Sequence, residues 1–214
     1  FRLMTNFAFP YFSRDIAEFW RRWHISLSTW FRDYVYIPLG GSRGSKMKQL
    51  RNVMIIFLVS GFWHGANWTF IAWGGIHAAL FIPLLITSRN RKHLSADNFK
   101  VTHIANILGC FLLVCLAWIF FRADTISEAF TYLTDIFRFK DISDISLFIS
   151  SAKYQLFTAI ILLSVSIMLL FELKAFRNQL IEVRLTKYTA FFIVLLIVLM
   201  GVFKDQSDFI YFQF

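Results

Sequence analysis

Four stretches of the chain carry almost no charge, and their lengths predict the architecture. From Asn52 to Ile86 there is no Asp, Glu, Lys or Arg over 35 residues. One helical pass of a bilayer takes about 20 apolar residues, so this stretch predicts a broken helical pair. The break is expected at Gly61-Phe62-Trp63-His64-Gly65-Ala66-Asn67-Trp68, where two glycines and two polar side chains fall together. Irregular backbone at membrane depth is tolerated only where protein buries it or it lines a cavity, so this segment is the expected cavity wall. Three further apolar runs, Ile104–Phe121, Tyr154–Phe171 and Tyr188–Phe203, predict later spans.

Residues 13–33 follow a different pattern. Ile16, Phe19, Trp20, Trp23, Leu27, Trp30 and Phe31 fall on one helical stripe, and Arg14, Glu18, Arg21, Arg22 and Arg32 lie away from it. Ser13 is placed to cap the start, with Asp15 in the first turn where the helix dipole favours it. A Trp-rich face opposite an Arg-rich one predicts an amphipathic helix lying in the membrane interface, too charged to span. Pro38 and Gly40-Gly41 then break the chain before a basic loop holding Arg43, Lys46, Lys48 and Arg51. The expected fold class is all-α: a polytopic membrane protein of about five spanning or broken helices plus the interfacial helix, in a single membrane-embedded domain over 1–214.

Composition agrees with that class. The chain is 57% hydrophobic and only 16% charged, with mean hydropathy +0.58; soluble domains carry about 25% charged residues. The net charge of +9 would suggest nucleic acid in a soluble protein. Here the cations sit in short loops, the bias of cytoplasmic loops in membrane proteins, and no nucleic-acid partner is expected. Ser88–His103 holds four basic residues against Asp97, and Glu172–Lys187 four against two acids, whereas Arg122–Lys153 holds four against five. This predicts cytoplasmic basic loops, with the Arg122–Lys153 loop and the C-terminus outside. The chain opens on Phe1-Arg2-Leu3-Met4 without a signal-peptide pattern and reads as the C-terminal part of a longer protein. Cys110 and Cys115 lie inside an apolar run and read as small buried hydrophobes.

Candidate chemistry centres on the five histidines. His93 and His103 lie in or beside a basic loop and read as solvated. His64 lies midway along the uncharged 35 residues, where an ionisable group marks a functional site unless it serves as helix–helix glue. His77 has the same logic, weakened by Gly74-Gly75 beside it, which suggests close packing. No His, Cys and carboxylate set has metal-ligand spacing, and neither a phosphate loop nor a nucleophile elbow is present. What remains is a histidine acting as general base in a low-dielectric pocket.

Two long motifs resemble the membrane-bound O-acyltransferase family. One runs Glu18-Phe19-Trp20-Arg21-Arg22-Trp23-His24-Ile25-Ser26-Leu27-Ser28-Thr29-Trp30-Phe31-Arg32-Asp33-Tyr34, followed by Tyr36-Ile37-Pro38-Leu39-Gly40-Gly41; the other is Phe62-Trp63-His64-Gly65-Ala66 with Trp68. Trp118-Ile119-Phe120-Phe121-Arg122-Ala123 and the terminal Phe209–Phe214 narrow the likeness to the branch of bacterial alginate O-acetyltransferase membrane subunits. The resemblance implies a ring of helices around a thin central funnel. It also implies His64 as the catalytic histidine, with His24 supporting it near the transfer tunnel, and a multi-pass location in the bacterial inner membrane. No bound cofactor is expected; the donor would be acetyl-CoA or a similar thioester reached from the cytoplasm. The acceptor would be an extracytoplasmic polysaccharide or a secreted transferase, with membrane lipids as the remaining partner. Asn67, three residues after His64, would orient it if the segment is helical there. Arg21, Arg22 and Arg32, with Arg43 in the loop, would meet donor phosphates beside Trp63, unless the arginines are plain interface anchors. Peptidoglycan O-acetylation and teichoic-acid D-alanylation are alternatives within the family. A lipid or sugar transporter using His64 as a proton relay is the alternative outside it.

Overall fold

The computed structural model describes residues 4–94, 101–138, 152–178 and 186–200, and every regular element in them is helical. After a 3-10 turn at Pro10–Phe12 come two seven-residue helices, α1 (Ile16–Arg22) and α2 (Ile25–Phe31), followed by a π-helical turn at Arg32–Tyr36. Then come α3 (Lys46–His64), α4 (Trp68–Ile86), α5 (Ile104–Arg122), α6 (Ile126–Arg138), α7 (Ala152–Arg177) and α8 (Lys187–Met200). Among the described residues, three helical segments are long and apolar enough to cross a membrane: Trp68–Ile86, Ile104–Arg122 and Tyr154–Arg177. The protein is thus an all-α membrane protein. The end of the third predicted span, the tail after it and the Phe209–Phe214 signature lie outside the described residues.

The expected break in the 52–86 stretch is present. Helix α3 ends at His64, Gly65 takes φ 158 and ψ 155, a region open essentially to glycine, and Asn67 caps α4. The two helices fold back as a tight antiparallel hairpin. Gly61 lies against the Phe70 carbonyl and Gly74 against the Phe57 carbonyl, each so close that an added Cβ would overlap the oxygen. At the open end Lys46 Nζ donates to the Leu85 and Ile86 carbonyls and to Ser88 Oγ, setting a cation on the negative end of α4. His64 is therefore well inside the apolar stretch in sequence but at the hairpin tip in space, about 27 Å from Lys46 at 1.5 Å per residue.

This packing makes Gly74→Ala destabilising by about 1–3 kcal/mol, the usual cost of overpacking, although alanine favours a helix by about 1 kcal/mol over glycine. Gly75→Ala is the control, since its Cβ would meet only Leu58 Cδ2 at 3.9 Å. Thermal unfolding in detergent should rank Gly74→Ala below Gly75→Ala; equal midpoints would contradict the backbone-to-backbone contact.

The amphipathic segment differs from the sequence expectation. A break at Trp23–His24 divides it, and His24 adopts the left-handed conformation, φ 42 and ψ 57. Neither Pro nor Gly marks the break. The extended chain at Asn6–Ala8 takes the junction's backbone groups instead: Ala8 N–H donates to the Arg22 carbonyl, Ile25 N–H to the Asn6 carbonyl, and Ser26 N–H to Asn6 Oδ1. The start is capped by Asp15, whose carboxylate accepts from Glu18 N–H, whereas Ser13 Oγ donates to the Pro10 carbonyl.

Nor do the charges all face away from the core. Glu18 is only 1% exposed and Arg14 8%. Arg14 donates to Glu18 from its backbone N–H, Nε and one terminal nitrogen at 2.8–3.0 Å, and Arg22 adds a bond at 2.7 Å. Arg22 also sits 5.1 Å over the Phe176 ring of α7. Trp20, Phe19 and Trp23 pack inward onto α4 and α5. Cys110 is buried on α5, and both cysteines are free thiols.

Candidate functional site

The hairpin tip holds His64 among aromatic rings. Its ring centroid lies 5.0 Å from Trp63, 5.0 Å from Phe121, 5.3 Å from Trp73 and 6.4 Å from Phe70. Trp73 comes from α4 and Phe121 from α5, so the imidazole is held by the same packing that seats α4 on α5.

His24 reaches the same region from the junction of α1 and α2, within electrostatic reach of His64. Its Nδ1 is buried without a hydrogen-bond partner among the described residues. A non-glycine residue held in left-handed backbone is uncommon, though histidine is among the enriched types; such residues cluster at functional sites.

Below the tip is a cavity of about 590 Å3, in the range of small-ligand sites. Its lining includes Trp20 and Ser28 from the first helices, Ser60 from α3, one helical turn before His64, and Arg21, Arg32 and Arg91. Two of the four expected donor-binding residues, Arg21 and Arg32, therefore face one cavity. Arg22 is committed to Glu18 and Phe176, and Trp63 packs against His64 and Phe31 instead. Arg91 was missed because a loop cation gives no signal of where the loop folds. That loop is docked by Arg21, which donates to the Asn90 and His93 carbonyls at 2.9 and 3.3 Å. His93 is not solvated as expected: its Nε2 is 3.7 Å from Asp15 Oδ2, and burial pushes its pKa down.

Asn67 does not pair with His64. Gly65 interrupts the helix between them, so the three-residue spacing no longer places them on one face. Asn67 Oδ1 accepts from Thr69 N–H at 3.1 Å, and Nδ2 donates to the Asp124 carbonyl at 2.9 Å. It locks the hairpin tip to the turn after α5. His77 is fully buried, and its Nδ1 accepts from the Trp20 indole at 3.3 Å, which ties α1 to α4.

Two apolar helices of spanning length, α4 and α5, pack against a half-buried histidine above an arginine-edged cavity, which defines an integral membrane protein with an enzyme-like site. Residues 5–122 match the membrane-bound O-acyltransferase family, and the chain belongs to that family. It is 45% identical over 141 residues to the "Probable alginate O-acetylase AlgI" of Azotobacter vinelandii, covering 66% of this chain and 27% of that protein. It is 43% identical over 133 residues to the "Peptidoglycan O-acetyltransferase" of Helicobacter pylori, covering 62% and 24%. With the "Teichoic acid D-alanyltransferase" of Streptococcus thermophilus it shares 41% over 105 residues, 44% of this chain and 25% of that one. The chain spans about a quarter of the length of these curated relatives.

Proposed function

We propose that this chain carries the reaction centre of a membrane O-acetyltransferase, with His64 as general base. The observation that carries the reading is His64 itself, caged by aromatic rings at the hairpin tip, one turn above a cavity edged by Arg21, Arg32 and Arg91. The cavity would admit the pantetheine end of acetyl-CoA from the cytoplasmic side, where the basic loops lie, with guanidinium groups toward its phosphates. His64 removes the proton of an acceptor hydroxyl as the oxygen attacks the thioester carbonyl. When the tetrahedral intermediate collapses, the leaving thiolate recovers that proton from His64. The acceptor is a hydroxyl of an extracytoplasmic polysaccharide, or of a secreted transferase that passes the acetyl group on, and the membrane is the bacterial cytoplasmic one. The names of the acetylating relatives favour acetyl over D-alanyl transfer.

The test is transfer from acetyl-CoA labelled in the acetyl group, supplied to membranes containing the whole protein and its polymer. Label is expected on polymer hydroxyls; a carrier that only transports lipid or sugar would leave none there.

His24 supports the reaction without being its base in this reading. Asparagine also tolerates left-handed backbone and keeps a hydrogen-bonding side chain. His24→Asn is thus expected to retain part of the activity, losing less than the roughly 10²–10⁴-fold of a missing base. Initial rates in membranes check this, and a rate as low as that of His64→Gln would overturn the division of roles.

A further inference from the structure

One stripe of α4 presents three buried polar atoms, and among the described residues none has a hydrogen-bond partner. They are Thr69 Oγ1, Trp73 Nε1 and His77 Nε2, on residues 1%, 3% and 0% exposed. The spacing of four places them one above another on the same helical face. Buried polar groups are nearly always paired, so three consecutive exceptions on one stripe mark a place where a partner from outside the chain belongs.

The chemistry of the atoms says what kind of partner. An indole N–H can only donate. His77 Nδ1 accepts from Trp20, which places the neutral ring's proton on Nε2, so His77 also presents a donor, and its ring lies 4.8 Å from that of Trp73. Thr69 adds a hydroxyl. Such a stripe asks for an acceptor oxygen, and the His64 ring meets Trp73 at 5.3 Å and 89°.

We propose that the Trp73 indole N–H, assisted by the Thr69 hydroxyl one turn nearer the hairpin tip, is the oxyanion donor of the acyl transfer. The proposal rests on the reading of His64 as base. As the hydroxyl oxygen bonds to the thioester carbon and its proton passes to His64, the carbonyl π pair moves onto the carbonyl oxygen, which the Trp73 N–H and Thr69 O–H stabilise. The pair returns as the C–S bond breaks, and the thiolate takes the proton from His64. Donors fixed by burial on a rigid helix need no reorganisation when that charge appears.

The experiment compares Trp73→Phe, Thr69→Val and His64→Gln in the full-length protein in native membranes, with acetyl-CoA as donor and membrane protein level measured in parallel. Trp73→Phe keeps an aromatic ring but removes the N–H. Its kcat should fall about 10²–10³-fold, as for loss of one oxyanion donor, with KM for acetyl-CoA and the pH profile unchanged. A packing defect would instead lower the amount of protein or raise KM. A near-normal kcat in Trp73→Phe at normal protein level would overturn the proposal. Should Trp73→Phe fail to accumulate, Thr69→Val decides: a reduced kcat at constant KM supports the donor pair, and a wild-type kcat overturns it. The base reading is judged separately, because it fails only if His64→Gln retains transfer.

Discussion

Glu18→Gln is expected to destabilise the protein by about 3–5 kcal/mol at neutral pH, the usual consequence of removing one partner from a buried ion pair. The carboxylate is 1% exposed and accepts bonds from Arg14 and Arg22. Glutamine keeps the shape but removes the carboxylate charge that Arg14 and Arg22 share. Burial by itself would raise the Glu18 pKa; the hydrogen bonds from Arg14 and the charges of Arg22 and Arg14 outweigh it and hold the carboxyl below its ordinary value. A depressed carboxyl contributes stability that is complete above its unfolded pKa, about 4.3, and is lost as pH falls through the lower folded value. Wild type and Glu18→Gln should therefore differ most at neutral pH and converge under acid. Thermal unfolding in detergent at pH 7 and at about pH 4 and below reads both effects. A variant as stable as wild type at pH 7 would show that the cluster stabilises nothing.

That cluster also shows where sequence reasoning fell short. Glu18 and Arg22 are spaced by four on α1, and Arg14, just before the helix, reaches Glu18 from the preceding turn. Hydrophobic periodicity assigned these residues to the exterior because charged residues are almost never buried unless paired. The i, i+4 spacing held the pairing, but nothing local announced its burial or the Phe176 ring of α7 over Arg22. The division of the amphipathic segment at His24 was invisible for a similar reason: it is made by Asn6–Ala8 capturing backbone groups, and no local breaker announces it.

The hairpin was legible because its signals are local. An uncharged run too long for one pass, glycines at 61, 65 and 74, and a cap residue at Asn67 define two helices and a tip, and α3 and α4 follow them. His64 could be picked out on the same grounds. Asn67 was misjudged because the helical spacing ignored the glycine between it and His64. Trp73 gave no signal, since an indole in an apolar run reads as core until its missing partner is seen.

Loss of the His64 imidazole is expected to remove acetyl transfer while leaving the protein in the membrane. General-base catalysis contributes about 10²–10⁴-fold, enough to drop polymer acetylation below detection in cells. The side chain sits at the tip of a hairpin held elsewhere, by Gly61, Gly74, Lys46 and the Asn67 cap, so its replacement leaves those contacts intact. Glutamine keeps comparable size and hydrogen-bonding capacity but accepts no proton at neutral pH. The most direct measurement is the acetyl content of the exported polymer from cells carrying His64→Gln, alongside the amount of the protein in the membrane fraction. The expected result is unacetylated polymer at wild-type protein level; near-normal acetylation at that level would contradict the base role and return His64 to a structural contact between helices.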